Sequence, residues 1–380
     1  MARLPLITTS EQRSFKGCQR KHHFRYVQLR EALYEHAIAA YEGTLGHCGL
    51  EHWLRAQKAN GDQLDRALTM MREMWQESEN PSEFTWEKMA SLILGYHRRW
   101  KDAAIEVVAV EAEFRAPLLN PETGARSRTF DLGGKMDAVI RNVLSGDLLI
   151  MEHKFTSLDI TAGSSYWKRL RMDDQISAYF DGARSLGYEV QGCLYDVIQR
   201  PGQKPKQATP EEDRKYTQPK VCPECKADAL AIAKAEKVKL LVKDIPLTPG
   251  CEPCAASVHL YSNLREFDET PAEYSARIRE TITENPDAYY QRGKVVRLQE
   301  ELRDARFDVW STAKQVHEAT KSGRHVRNTA SCEKFGSECQ YFGVCSGEAD
   351  INDPQKFTDR EGKHSELEGQ ESEREGQTAA

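Results

Sequence analysis

Asp137 and the run Glu152-His153-Lys154 place two carboxylates and a lysine on neighbouring segments that read as strands. Residues 133–141 and 147–155 carry the strand pattern and flank a turn signal at Leu144-Ser145-Gly146. Side chains alternate along a strand, so Glu152 and Lys154 share a face. With a two-residue loop at Ser145-Gly146, Asp137 falls opposite Lys154, and Glu152 lies one diagonal away on that face. Two carboxylates suit a hard divalent cation, beside a lysine that can orient water or offset developing negative charge. The plain alternative is a solvated strand face carrying a salt pair, because Glu-x-Lys is a common pattern.

Other residues have spacings that bear on such a site. Gly43-x3-His47-x3-Glu51 puts three residues on one helical face, with the glycine allowing close approach. Gln175-x3-Tyr179 repeats that interval on a helix read from 172 to 186 and ended by Gly187. Cys222-x2-Cys225 and Cys251-x2-Cys254 are two short pairs of the kind that satisfy a tetrahedral zinc ion, with reactive thiols or a second cluster as the alternatives. Cys332, Cys339 and Cys345 crowd one stretch, Cys18 stands alone near the N-terminus, and Cys48 and Cys193 read as ordinary buried residues. Tyr166 and Trp167 beside Lys168, Arg169 and Arg171 form the best candidate contact for a nucleic-acid strand. Solvated helix faces are the competing reading for each basic run.

The elements that must position these residues follow from periodicity. Helices read over 62–75 and 86–100, strands over 107–114 and 192–198, and the alternation implies an α/β core between about 105 and 200. A polar, proline-bearing stretch leads into the paired cysteines, residues 258–267 read as a strand returning to the sheet, and a helix opens at Thr270-Pro271. A long helix is read over 296–321. The resulting divisions are 1–104, mostly helical; 105–200, the core; 201–257, a zinc ribbon-like insertion; 258–346, ending in the cysteine cluster; and 347–380, a tail. After Gly347, ten acids face four bases, so the tail carries the whole net charge of −6, and its composition reads as disordered. The 380 residues contain no apolar run long enough to span a membrane, and MARLPLITTS lacks the features of a signal peptide. The expectation is a soluble intracellular protein.

In their order, His47, Gly134-Lys135-Met136-Asp137, Glu152-His153-Lys154 and Gln175-x3-Tyr179 resemble the PD-(D/E)XK nuclease superfamily in its RecB-like exonuclease branch. That branch includes the AddB nuclease domain, CRISPR-associated RecB-like exonucleases and phage-encoded iron–sulfur nucleases. The resemblance begins at Thr9-Ser10 and Phe15-Lys16-Gly17-Cys18-Gln19-Arg20-Lys21, continues through Phe24-Arg25-Tyr26, and closes at Asn328-Thr329-Ala330-Ser331-Cys332 and the later cysteines. Met136 stands where the superfamily's name has proline.

The resemblance implies a restriction-endonuclease-like mixed sheet flanked by helices, with a zinc-binding insertion and an iron–sulfur C-terminal region. Asp137, Glu152, His47 and the main-chain carbonyl of His153 would hold Mg²⁺ or Mn²⁺, and Lys154 would be the catalytic lysine. Gln175 and Tyr179 would support the site or touch DNA. Cys18, Cys332, Cys339 and Cys345 would hold a [4Fe–4S] cluster, for which zinc is the main competitor. The implied activity is DNA hydrolysis, as an exonuclease on single strands or ends. A structure-selective endonuclease and a non-catalytic DNA-binding iron–sulfur scaffold are the alternatives. No G-x4-G-K-[ST] loop is present, so unwinding would need a helicase or recombination partner. The implied setting is the cytoplasm of a bacterial or phage-infected cell.

Overall fold

The β-rich segments between residues 105 and 200 form the centre of a mixed sheet, and they run longer than their apolar patterns suggest. The computed structural model describes residues 4–33, 38–78, 81–214, 216–217, 259–260, 263–334 and 337–368. Cys222, Cys225, Cys251 and Cys254 lie outside these.

In chain order the first elements are β1 (Leu6–Ile7), α1 (Thr9–Gly17), α2 (Gln19–His22), a π-helical turn (His23–Val27) and β2 (Arg30–Ala32). Helices α3 (Ile38–Lys58), α4 (Gln63–Gln76) and α5 (Glu83–Trp100) precede β3 (Ile105–Leu119), β4 (Arg126–Asn142) and β5 (Leu148–Thr156). Then come α6 (Ser165–Leu170), α7 (Asp174–Ser185), β6 (Cys193–Gln199), β7 (Tyr216–Thr217), β8 (His259–Leu260), α8 (Pro271–Glu284), α9 (Pro286–Tyr289) and β9 (Tyr290–Val295). The chain continues through α10 (Gln299–Ser322), β10 (Glu333–Lys334), β11 (Ser337–Glu338), α11 (Phe342–Ser346), β12 (Phe357–Asp359) and α12 (Ser365–Glu368).

Two compact units emerge. One comprises Met1–Pro81, Leu92–Pro201 and Ile282–Ala380, and the other Ser82–Ser91 and Gly202–Thr281. The central sheet belongs to the first, in the order β1-β4-β5-β6-β9, with β3 also on β4. β5 and β6 are parallel and joined through α7, while β3–β4, β4–β5 and β6–β9 are antiparallel. Met136, Ala138, Val139, Ile140, Ile150, Met151, Tyr195 and Val197 are buried, because helices cover the sheet and leave its middle strands little solvent.

Three sequence expectations change. The loop closed by the Asn142 N–H on the Asp147 carbonyl spans residues 143–146, four rather than two: Asn142 Oδ1 accepts the Leu144 and Ser145 N–H groups, and Gly146 sits at φ 77°. The ladder therefore pairs Ala138 with Met151 and Arg141 with Leu148, so the next position sets Asp137 across from Glu152 instead of Lys154. The shift is two residues, which keeps every side chain on its expected face; a shift of one would not.

The described residues of 258–267 do not join the central sheet. Among the described residues there, β8 alone is extended, and it pairs with β7 in the second unit, where Arg277 also grips Glu269. The sheet's far edge is β9 instead. Finally, residues 347–368 are not a disordered tail: β12 pairs with β2, Phe357 is buried against Tyr341, and His364 is buried near Glu11.

Candidate active site

β4 pairs with β5 over residues 138–141 and with β1 at 131–132, so its edge is free between those stretches. Asp137 stands at this fork. Its Oδ2 accepts the His153 N–H at 2.7 Å, a side chain taking the hydrogen bond that the ladder no longer supplies. Beyond the fork, alternate residues of β5 meet different helices. Lys154 Nζ donates to Gln175 Oε1 of α7 at 3.1 Å and to Glu152 Oε1 at 2.6 Å, while the His153 and Phe155 rings approach His47 of α3.

His47 is brought in by close helix packing. A Cβ on Gly46 would come within 2.4 Å of the Phe155 ring, and one on Gly49 within 2.3 Å of Met71 Sδ. Gly43 meets nothing within 4 Å, so the expectation that it provides the close approach is corrected: Gly46 and Gly49 do this. His47 Nδ1 lies 3.8 Å from Asp137 Oδ2. Burial, with His153, Lys154 and Lys135 nearby, lowers the basicity of His47 against the opposing pull of Asp137.

The carboxylates differ in their ionisation. Burial alone would raise Asp137, but the hydrogen bonds from His153 and the nearby His47 outweigh it and hold Asp137 well below the usual carboxylate range. Glu152 is 3 % exposed; burial and the charge of Asp137 push it up to about 8, against the pull of Lys154. Burial disfavours the Lys154 cation, yet Glu152 outweighs it and Lys154 holds its proton more tightly than a free lysine. Lys154 is therefore equipped to act as a cation, not as a base.

Glu51 lines the cleft beside His47 and Asp137, in a space of about 480 Å³ reached also by Glu111 and Lys135. Glu111 deserves more weight than a strand glutamate receives from the sequence. It lies between the Val110–Ala138 and Ala112–Met136 pairs, across from Asp137, with its backbone at φ 50° and its carboxylate 2.5 Å from Lys135 Nζ. A left-handed backbone at a non-glycine residue costs about 1–3 kcal/mol and nothing in residue type announces it.

Tyr179 is buried and its hydroxyl accepts from Gln175 Nε2 at 2.6 Å, so this pair reaches the site through Gln175. Tyr166 is also buried, and Trp167 spends its N–H on the Ile160 carbonyl and packs against Gly293. Of the five residues expected to contact a strand, Tyr166 is buried, Trp167 half-buried, and Lys168, Arg169 and Arg171 exposed.

A family profile for the PD-(D/E)XK nuclease superfamily matches residues 7–258. The chain belongs to this superfamily. Membership implies a metal-dependent nuclease, and such nucleases generally use Mg²⁺ or Mn²⁺. No curated protein matches the chain. Among solved structures, that of SSO0001 is similar at 17% identity over 41% of this chain and 59% of that one, with a TM-score of 0.19. The chain thus spans less than two thirds of the length of that protein.

As the side chains stand, no group of three or more His, Cys, Asp or Glu among the described residues is arranged to hold a metal ion. Asp137 is turned to His153 and Glu152 to Lys154. The donor set nevertheless fits a hard cation: half-buried Asp137 and buried Glu152 are close enough for the charge of one to act on the other, and Glu152 Oε2 has no hydrogen-bond partner among the described residues.

Cys18, Cys332, Cys339 and Cys345 share one neighbourhood. Burial raises the Cys345 thiol, Arg20 opposes it, and Cys18, Cys339 and Cys332 each add to it. Ser331 and Asn328 both donate to the Gly17 carbonyl, which ties the C-terminal cysteines to the end of α1 beside Cys18. Cys48 and Cys193, the two outside the cysteine groups, are buried. No helix among the described residues is long and apolar enough to cross a membrane.

Proposed function

We propose that this nuclease is a RecB-like exonuclease that hydrolyses DNA from single strands or ends, with Asp137, Glu152 and Lys154 as its catalytic residues. The observation that carries the reading is the meeting of these three at the fork between β4 and β5, with one oxygen of buried Glu152 left without a partner. Asp137, Glu152, His47 and the His153 carbonyl would hold the divalent cation. When bound, that cation supplies Lewis-acid polarisation of the phosphate and lowers the pKa of attacking water. Lys154, tethered by Glu152 and Gln175, keeps its proton and offsets the charge that gathers on the phosphoryl oxygens. Water forms the new bond to phosphorus as the bond to the leaving oxygen breaks, and that oxygen takes up a proton. Gln175 fixes the Lys154 ammonium and is itself fixed by Tyr179. Lys168, Arg169 and Arg171, exposed on and just after α6, suit backbone phosphates and carry no base-specific pattern.

Cys18, Cys332, Cys339 and Cys345 would hold a [4Fe–4S] cluster that joins the two ends of the domain; the shared neighbourhood of the four thiols supports this. The Cys222, Cys225, Cys251 and Cys254 pairs would hold structural zinc on their spacing alone. The role would lie in recombination, repair or phage DNA processing, alongside a helicase or recombination protein.

The deciding experiment digests linear and circular single-stranded DNA with Mn²⁺, beside Lys154→Ala. Loss of linear DNA alone, abolished by the substitution, is the expected result. Cleavage of circles would make the protein an endonuclease. Absence of Lys154-dependent cleavage in folded, metal-loaded protein would leave a DNA-binding scaffold.

A further inference from the structure

The imidazole of His153, as distinct from its main chain, has no part in the chemistry above. It is 2 % exposed and set between two aspartates. Nδ1 lies 3.4 Å from Asp137 Oδ2, and Nε2 lies 3.8 Å from Asp196 Oδ2. The arrangement is built into the sheet. His153 of β5 pairs with Asp196 of β6, and Asp196 pairs with Arg292 of β9, so the three stand side by side across adjacent strands.

Asp196 is completely buried, and its Oδ2 accepts from the Tyr96 hydroxyl at 2.6 Å and from Arg292 at 2.8 and 3.0 Å. Arg292 also donates to Tyr96 and lies 4.0 Å from the Trp100 ring, so the far end of the row is rigid. The row has a cost: His153 Nε2 and Asp196 Oδ1 make no hydrogen bond among the described residues. A buried polar atom without a partner costs about 1–3 kcal/mol, so an apolar residue at position 153 would serve stability better.

We propose that His153 is a positioning residue for Asp137: packed beside the Asp196–Arg292 pair, its ring fixes the orientation of the carboxylate that faces the site. This rests on the reading of Asp137 as a cation-holding residue. Outer groups of this kind set ligand orientation, and their loss typically weakens metal affinity about 10–100-fold. His153 engages Asp137 Oδ2 twice, through its main-chain N–H and through its ring, which leaves the carboxylate little freedom to turn.

The test is Mn²⁺ affinity of the full-length protein, read from the electron paramagnetic resonance signal of free Mn²⁺, with circular dichroism to establish folding. His153→Asn keeps an N–H donor near the place of Nδ1, on the Asp137 side. His153→Gln moves its donor to the place of Nε2, on the Asp196 side. Both are polar and smaller than histidine, so a merely structural role would treat them alike. The expected result is Mn²⁺ affinity close to wild type in His153→Asn and weakened about tenfold or more in His153→Gln. Equal affinities in the two variants would overturn the positioning role while leaving the site intact. Asp137→Ala separates the two ideas: it should abolish tight binding, and wild-type affinity there would remove the cation-site reading and this proposal with it.

Discussion

Glu11 and Glu152 are both buried glutamates of the same unit, and they have opposite fates. Around Glu11, His22 Nε2 stands at 2.9 Å and Lys363 Nζ at 2.7 Å from Oε1, and His364 Nε2 at 3.3 Å from Oε2. Burial alone would raise its pKa, but these partners outweigh burial and bring it to about 2. In both glutamates Oε2 makes no hydrogen bond among the described residues, but Glu152 has a single cationic partner, Lys154 on Oε1, and the like charge of Asp137 nearby. Burial therefore does not mark a functional carboxylate. Burial whose cost is left uncompensated does, because an added cation can still relieve it.

The largest expected effect breaks the pair at the site. Glu152→Gln should lower cleavage by about 10³-fold or more, since it removes a charge that acts on the reacting phosphate through the cation. The same change should leave the metal-free protein as stable as wild type or more so, because an amide is easier to bury than a carboxylate. A clear fall in melting temperature would show that Glu152 is held as a structural ion after all.

Glu11→Gln should do the reverse. It strands His22, Lys363 and His364 around a neutral group, at a cost of about 3 kcal/mol by urea unfolding. Cleavage per folded molecule should stay unchanged, and a loss of specific activity would tie Glu11 to the site.

The two residues also predict opposite pH slopes. Glu11 is depressed in the folded state, so its contribution is present above about 4.5 and is lost as pH falls towards 2, amounting to ~3 kcal/mol. Glu152 is raised, so the metal-free native state binds its proton more tightly than the unfolded chain. Stability should then fall as pH rises from about 4.5 to 8. Unfolding of metal-free protein across this range should lose the acid limb in Glu11→Gln and the neutral limb in Glu152→Gln. Saturating Mn²⁺ should flatten the neutral limb in wild type; its persistence would assign that limb to another group.

One member of this comparison was legible in the sequence and the other was not. Glu152 announces itself through Glu-x-Lys and a partner Asp137 on a flanking strand, and a four-residue loop in place of a two-residue one leaves the shared face intact. Glu11 gives no such signal, because its partners Lys363 and His364 lie in a polar stretch whose composition reads as disordered. That stretch is ordered by a few apolar anchors, notably Phe357 against Tyr341, which a composition average dilutes. β9 was hidden for a related reason: Tyr290-Gln291-Arg292-Gly293-Lys294-Val295 is polar for a sheet strand, and its value lies in Arg292 on Asp196 and Gly293 under Trp167. The strain at Glu111 and the close approach at Gly46 are tertiary facts with no local pattern to betray them.

The smallest effect sharpens the comparison from the other side. Lys363 contacts Glu11 and lies 5.4 Å from the Phe130 ring, and its side chain remains partly exposed. Lys363→Met keeps the stem against that ring and removes only the charge. With His22 and His364 still in place, the cost should be about 1 kcal/mol, well below that of Glu11→Gln, since removing one of several partners leaves the buried ion partly compensated. The acid limb should be smaller and end at a higher pH, because Glu11 loses one of the groups that depress it in the folded state, while its onset near 4.5 is unchanged. A loss as large as that of Glu11→Gln would mean that the lysine alone compensates the buried charge and that the two histidines contribute only packing.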